Sequence, residues 1–231
     1  MNLSYSEFQA RADHVRALIE AACTKSGRRP EEVELLAVTK NHDVWAPEFA
    51  AKYGLRAVGE NRVQEGVEKR SKCSAKLCWE LIGHLQSNKA KLAVEHFGRV
   101  QSVDSTKLAE QLNKAATAQN KTLSVLLQIN AGRDPAKFGA EIEESDALLE
   151  QVQKCTALRV EGLMTIAPLS EDRAVARNCF ATLRELRDRL ALRSGLPLTV
   201  LSMGMSGDLE EAVAEGSTQI RVGTALFGAR A

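Results

Sequence analysis

Eight short apolar runs recur along the 231-residue chain, at about 34–40, 56–60, 78–83, 99–104, 123–130, 159–166, 198–203 and 219–223. Segments with helical periodicity or strong helix formers separate them, most clearly at 105–119, 143–155 and 171–193. Strand–helix alternation implies parallel pairing through right-handed crossovers, and a set of this size implies closure rather than an open sheet. The expected architecture is therefore α/β, a single (β/α)8 TIM barrel, with a doubly wound open sheet as the alternative. An extra N-terminal helix over roughly 3–25 precedes it, since Val15, Leu18, Ile19 and Ala22 recur at helical spacing before Gly27 and Pro30 punctuate the chain. A plain barrel typically needs ~250 residues, so this one is nearly undecorated. No linker or composition break divides it, and one domain over 1–231 is expected.

Composition narrows the function classes. Hydrophobic residues make up 44% and charged residues 26%, as in a soluble globular protein. A net charge of +1 with interspersed signs gives no footprint for nucleic acid or for an anionic membrane surface, and 4% aromatic residues argue against base stacking. The N-terminus has neither a basic nor an apolar targeting region, and no segment approaches the roughly 18 apolar residues of a spanning helix. A cytoplasmic location follows. The five cysteines are scattered without a C-x-x-C pair and read as reduced packing groups, and none of the four histidines has metal spacing to another ligand type.

In a barrel, polar residues just after each strand converge on one mouth, where such folds keep their chemistry. Lys40 ends the first run, Leu35-Leu36-Ala37-Val38-Thr39-Lys40, and a partly desolvated lysine there is nucleophilic toward carbonyls. A lysine marking the wet end of a strand is the ordinary reading of one such residue alone. Two late segments shift the balance, Ser202-Met203-Gly204-Met205-Ser206-Gly207-Asp208 and Arg221-Val222-Gly223-Thr224. Their glycines let backbone N–H groups approach an anion, Ser206 and Thr224 add hydroxyl donors, and a following helix start adds more, in the usual phosphate position of a barrel. Taken singly, Ser206 and Asp208 also suit N-caps, with Asp208 and Glu211 at capping-box spacing.

Asn61, His84, Asp104, Asn130, Met164, Ser202 and Arg221 fall at the other strand ends. Asn61 with Gln64, Asp104 and Ser87 are plausible helix caps, His84 is as suited to a structural hydrogen bond as to a ligand, and Arg221 could pair with Glu60. A lysine, a phosphate cradle and an arginine between them fit pyridoxal 5′-phosphate (PLP). Lys40 takes its aldehyde, and Arg221 donates to an unprotonated ring nitrogen and weakens the electron sink.

Several stretches carry a more specific signal: Leu36-Ala37-Val38-Thr39-Lys40, Gly59-Glu60-Asn61-Arg62-Val63-Gln64-Glu65, Trp79-Glu80-Leu81-Ile82-Gly83-His84-Leu85-Gln86-Ser87-Asn88-Lys89, Gly162-Leu163-Met164, Ser202-Met203-Gly204-Met205-Ser206 and Arg221-Val222-Gly223-Thr224. In this order and over nearly the whole chain, they resemble the pyridoxal phosphate homeostasis proteins. The resemblance implies a barrel of the alanine-racemase N-terminal type that holds PLP as an imine on Lys40. It implies contacts from Asn61, His84, Met164, Ser202, Ser206, Gly207, Arg221, Gly223 and Thr224. It further implies cofactor buffering or delivery, with PLP-dependent apo-enzymes as partners, rather than catalysis, and a monomer is expected. Asn41-His42-Asp43 stands where the family often has a lysine–proline pair, and the loop after the fifth strand, Asp134-Pro135-Ala136-Lys137-Phe138-Gly139, also departs. The alternatives are an amino-acid racemase, disfavoured because Tyr5 and Tyr53 are poorly placed as a second base and only three residues follow Gly228, and an imine-forming aldolase on a phosphorylated sugar.

Overall fold

The computed structural model describes residues 3–228. The first helix, α1 (Tyr5–Lys25), starts at Ser4, whose hydroxyl accepts from the Glu7 N–H while the Glu7 carboxylate accepts from the Ser4 N–H. Its buried face is Phe8, Ala12, Val15, Ile19, Ala22 and Cys23, which keeps three of the four residues that mark the helical spacing, whereas Leu18 is exposed.

Eight parallel strands follow: β1 (Glu34–Val38), β2 (Ala57–Glu60), β3 (Cys78–Leu81), β4 (Arg99–Val103), β5 (Leu123–Gln128), β6 (Leu158–Met164), β7 (Val200–Ser202) and β8 (Gln219–Val222). They pair in chain order and close when β8 meets β1. Between them lie α2 (Trp45–Lys52), α3 (Val63–Lys72), α4 (Ala90–His96), α5 (Thr106–Ala118), α6 (Ser145–Gln153), α7 (Arg173–Ser194) and α8 (Leu209–Ala214), with α9 (Thr224–Phe227) after β8. α7 stops at Gly195, whose φ of 72° takes the left-handed turn that glycine adopts without steric cost. The open-sheet alternative is thereby set aside.

Alternation along the strands divides two environments. Outward residues such as Ala37, Val58, Leu81, Val100, Leu127 and Ile220 join one large apolar core with the helices. Inward residues are mixed. Leu36, Val38, Ala57 and Ile82 form a small separate apolar cluster, whereas Glu80, Gln101, Ser202, Gln219 and Arg221 place buried polar groups on the other side of the bore. Barrel interiors are ordinarily filled by branched apolar layers, so this polar column departs from the usual filling, and Arg221 at its top lines the mouth.

α1 also anchors that mouth. Phe8 is fully buried and stacks on Phe227 of α9 at 5.3 Å between centroids, while Phe49 and Tyr53 of α2 close around it. The added N-terminal helix therefore fixes the single-turn helix that begins at Thr224.

Candidate functional site

The loops at the carboxyl ends of the strands enclose a cavity of about 520 Å³, a size typical of small-molecule sites. Lys40, Asn61, His84, Ser206, Gly207, Arg221, Gly223 and Thr224 line it, joined by His42, Gln128, Lys137 and Phe138. No Asp or Glu is among its described lining residues, although three cationic side chains, Lys40, Lys137 and Arg221, are. A broader groove beside it, of about 1130 Å³, instead mixes Glu7, Asp43, Glu65 and Glu68 with Arg11, Lys69 and Lys72. Only the smaller cavity has the donor set of an anion site.

Alternation turns Lys40 inward like Val38, two residues beyond β1, where it is half-buried. A pair on the opposite side of the sheet fixes the preceding residue. Lys69 of α3, 6% exposed, donates to the Thr39 carbonyl (2.7 Å), to Glu60 (2.6 Å) and to Glu65 (3.2 Å), and the Thr39 hydroxyl donates to Glu60 (2.5 Å). Glu65 also accepts from the Asn41 N–H, so both flanks of Lys40 are tied to α3. Burial pushes the Glu60 carboxyl above its usual range, with Lys69 opposing, and one Glu60 oxygen has no hydrogen-bond partner.

Arg221 does not pair with Glu60. Glu60 points outward like Val58, toward α3, while Arg221 points into the bore. Its Nη1 donates to Ser202 Oγ (2.9 Å) and its Nη2 to the Thr165 carbonyl (2.8 Å). Burial pulls its pKa down to about 10, with the Asp208 carboxylate opposing, so it keeps its proton at neutral pH. Met164 and Ser202 do not line the cavity, and both are fully buried. The strand register sets Met164, Ser202 and Gln219 side by side, one inward layer below Arg221, so Ser202 touches the arginine and not the cavity.

The anion-cradle segments form as donors rather than as caps. Asp208 makes no side-chain cap on α8 and instead accepts from the Met205 N–H (2.6 Å), which turns the loop at Ser206-Gly207 toward the cavity. Among the described residues, neither Ser206 nor Gly207 gives its N–H to a protein acceptor. Thr224 opens α9, so its N–H has no acceptor within that helix. With α8 and α9 only six and four residues long, these local N–H groups, not a summed helix dipole, supply the positive potential.

Close backbone approach completes the rim. A Cβ on Gly83 would stand 2.2 Å from the Asn61 carbonyl oxygen, so only glycine lets the loop after β3 pass beside Asn61. His84 then reaches Asp104 (Nδ1 to carboxylate 3.4 Å) and stacks on Phe138 at 4.0 Å, which brings the loop after β5 over the opening. The expected caps differ. Arg62, not Asn61, precedes α3 and gives no side-chain cap, Ser105 rather than Asp104 caps α5, and Ser87 makes no cap bond. Asn130 is also structural, since its amide closes its own loop through Asp134.

The model for the alanine racemase N-terminal domain matches residues 12–231. The pyridoxal phosphate homeostasis protein of Pseudomonas aeruginosa is 43% identical over 217 residues, covering 94% of this chain and 93% of that protein. Its Escherichia coli K12 counterpart is 42% identical over 222 residues, 94% of each. This chain belongs to the pyridoxal phosphate homeostasis protein family. PipY of Synechococcus elongatus, solved with PLP bound, superposes with a TM-score of 0.84 at 39% identity, covering 96% of this chain and all of that one. Within this family member, Lys69, Gln128 and the bore glutamines were not singled out from the sequence. Lys137 and Phe138 were noted only as part of a divergent loop, and the structure brings both to the cavity.

Among the described residues no cluster of three or more His, Cys, Asp or Glu could hold a metal, and no helix is long and apolar enough to cross a membrane.

Proposed function

We propose that this protein binds pyridoxal 5′-phosphate in the 520 Å³ cavity, covalently through Lys40, and serves in its cytoplasmic homeostasis by buffering it or delivering it to apo-enzymes. The observation that carries the reading is a cavity combining an inward lysine, a buried guanidinium and unpaired N–H donors with no lining carboxylate. The names of the relatives and the PLP bound to PipY support it. Bound there, the cofactor supplies an aldehyde that condenses with an amine and a ring that can draw electrons from it. Ser206, Gly207, Gly223 and Thr224 would hold the phosphate, with Asn61 and His84 lining the same cavity. Arg221 has five N–H donors and commits two hydrogen bonds to Ser202 and Thr165, which leaves donors for the ring nitrogen. Because that arginine keeps its proton at neutral pH, the ring nitrogen stays unprotonated and the electron sink is weak, which suits a carrier.

Neither tyrosine is placed to serve as the second base of a two-base racemization. Tyr53 donates to Asp13 (2.6 Å) and, with Tyr5, packs in the aromatic cluster of α1 and α2. No tyrosine is among the described lining residues.

Titrating the cofactor-free protein with PLP, followed by absorption, tests the reading. A saturable spectral change at one equivalent is expected, and an unchanged PLP spectrum in the presence of protein would contradict it. A lysine-dependent aldolase would instead act on a phosphorylated sugar without acquiring colour. Ser206→Ala and Thr224→Val should each weaken cofactor retention by about 1–3 kcal/mol, roughly 5- to 150-fold in Kd, since each removes one donor to a charged group. Thermal melts of the cofactor-free variants separate the outcomes. Lowered melting with unchanged affinity would make these residues structural and move the phosphate elsewhere.

A further inference from the structure

The polar column inside the barrel has a direction. At its lower part the Glu80 carboxylate accepts from Arg99 Nη1 (3.0 Å) on one oxygen and from Gln101 Nε2 (2.5 Å) on the other. Gln219 Nε2 donates to Glu34 (3.0 Å) and lies 3.4 Å from the same Glu80 oxygen. A carboxylate is an acceptor only, so it fixes which end of each amide faces it: the nitrogen. The amide oxygens then face away from the carboxylate, and both meet one hydroxyl, with Gln219 Oε1 also accepting from Gln101 Nε2 (2.7 Å). Ser202 Oγ lies 2.6 Å from Gln101 Oε1 and 3.0 Å from Gln219 Oε1. With two acceptors below it, the single Ser202 proton points down the bore. Its lone pairs are left for the group above, Arg221 Nη1 at 2.9 Å. Glu80, Gln101, Gln219, Ser202 and Arg221 are each at least nine-tenths buried, so no bulk water competes for these donors and acceptors.

We propose that Gln101 and Gln219 are positioning residues which, by polarizing Ser202, lock the Arg221 guanidinium in the orientation that meets the cofactor ring. The proposal rests on the PLP reading above and adds that the ring contact is set from the barrel interior rather than by the mouth loops. Either glutamine alone suffices to take the Ser202 proton, so the two are redundant, and removing both should differ from the sum of removing each.

The test is a cycle of Gln101→Met, Gln219→Met and the double variant, each loaded with PLP carrying nitrogen-15 in the ring. Each single variant is expected to keep the wild-type ring-nitrogen resonance and to hold the cofactor within threefold of the wild-type Kd. The double variant should shift or broaden that resonance and lose about tenfold in Kd. Ser202→Ala, which removes the same contact with a smaller change in volume, should reproduce the double variant and stands in for it if that protein does not fold. A double variant or Ser202→Ala with wild-type resonance and affinity would overturn the proposal and leave the cofactor reading intact. A wild type that takes up no labelled PLP would overturn both.

Discussion

Replacing Lys69 with methionine is expected to cost about 3–5 kcal/mol of stability, the scale for breaking a buried ion pair by removing one partner. For a chain of this length that corresponds to a fall in melting temperature of about 10 °C. Lys69 is the cationic partner of Glu60, which is fully buried and already has one oxygen without a hydrogen bond. Methionine fills the volume and leaves that carboxylate with the Thr39 hydroxyl as its remaining donor. The loss should depend on pH with a definite sign. Burial raises the Glu60 carboxyl above its unfolded value of 4.5, and Lys69 is the main opposing influence, so its removal raises the folded value further. A carboxyl whose folded pKa lies above the unfolded one binds protons more tightly in the native state. Stability therefore falls as pH rises through the window above 4.5. The variant should approach wild type as pH is lowered toward that value, and the double change with Glu60→Gln should recover much of the loss at neutral pH. Denaturant titrations of cofactor-free proteins at several pH values decide it. Equal stability at neutral pH would mean that the pair does not hold the base of Lys40.

The second large effect concerns chemistry the protein lacks in this account. Arg221→Glu replaces a donor that cannot give up its proton with a group that can share one with the ring nitrogen. A carboxylate there would stabilise a protonated ring nitrogen and so strengthen the ring's electron-withdrawing power, and added alanine should then exchange its α-proton in deuterated water roughly tenfold or more faster than with wild type. Occupancy of the cofactor is confirmed in both before comparison. A wild type that already exchanges at ordinary enzyme rates of ~1 per second or faster, unchanged by the substitution, would mean that Arg221 does not face the ring and that the carrier reading is wrong.

The barrel was legible because short apolar runs alternate with segments of helical periodicity or strong helix formers, and the observed strands fall within a residue or two of the expected starts. Lys40, Arg221 and the Ser206 and Thr224 segments were legible for a related reason, since in a closed barrel the residues after the strands share one mouth. What alternation does not reveal is which side of a strand faces the bore. Glu60 is the last residue of β2 and Arg221 the next to last of β8, and that one residue of phase sends Glu60 to α3 and Arg221 into the interior. Lys69 was hidden because a lysine four residues after Glu65 on a charged helix has the spacing of a solvated ion pair, and only its position against β2 buries it. Gln101, Ser202 and Gln219 resemble outward polar positions until closure places them opposite one another. Caps were misplaced by one residue at Asn61 and Asp104, where the loop geometry rather than residue type selects the first helical turn.

The proposed attachment of the cofactor is to Lys40 and to no other lysine of the mouth. Lys137 shares the cavity and is the competitor that matters. Borohydride reduction of the PLP-loaded protein, followed by proteolysis and mass mapping, reads the attachment directly. The reduced adduct is expected on Lys40, with none formed in Lys40→Ala. An adduct on Lys137 or Lys89 with Lys40 unmodified would contradict it.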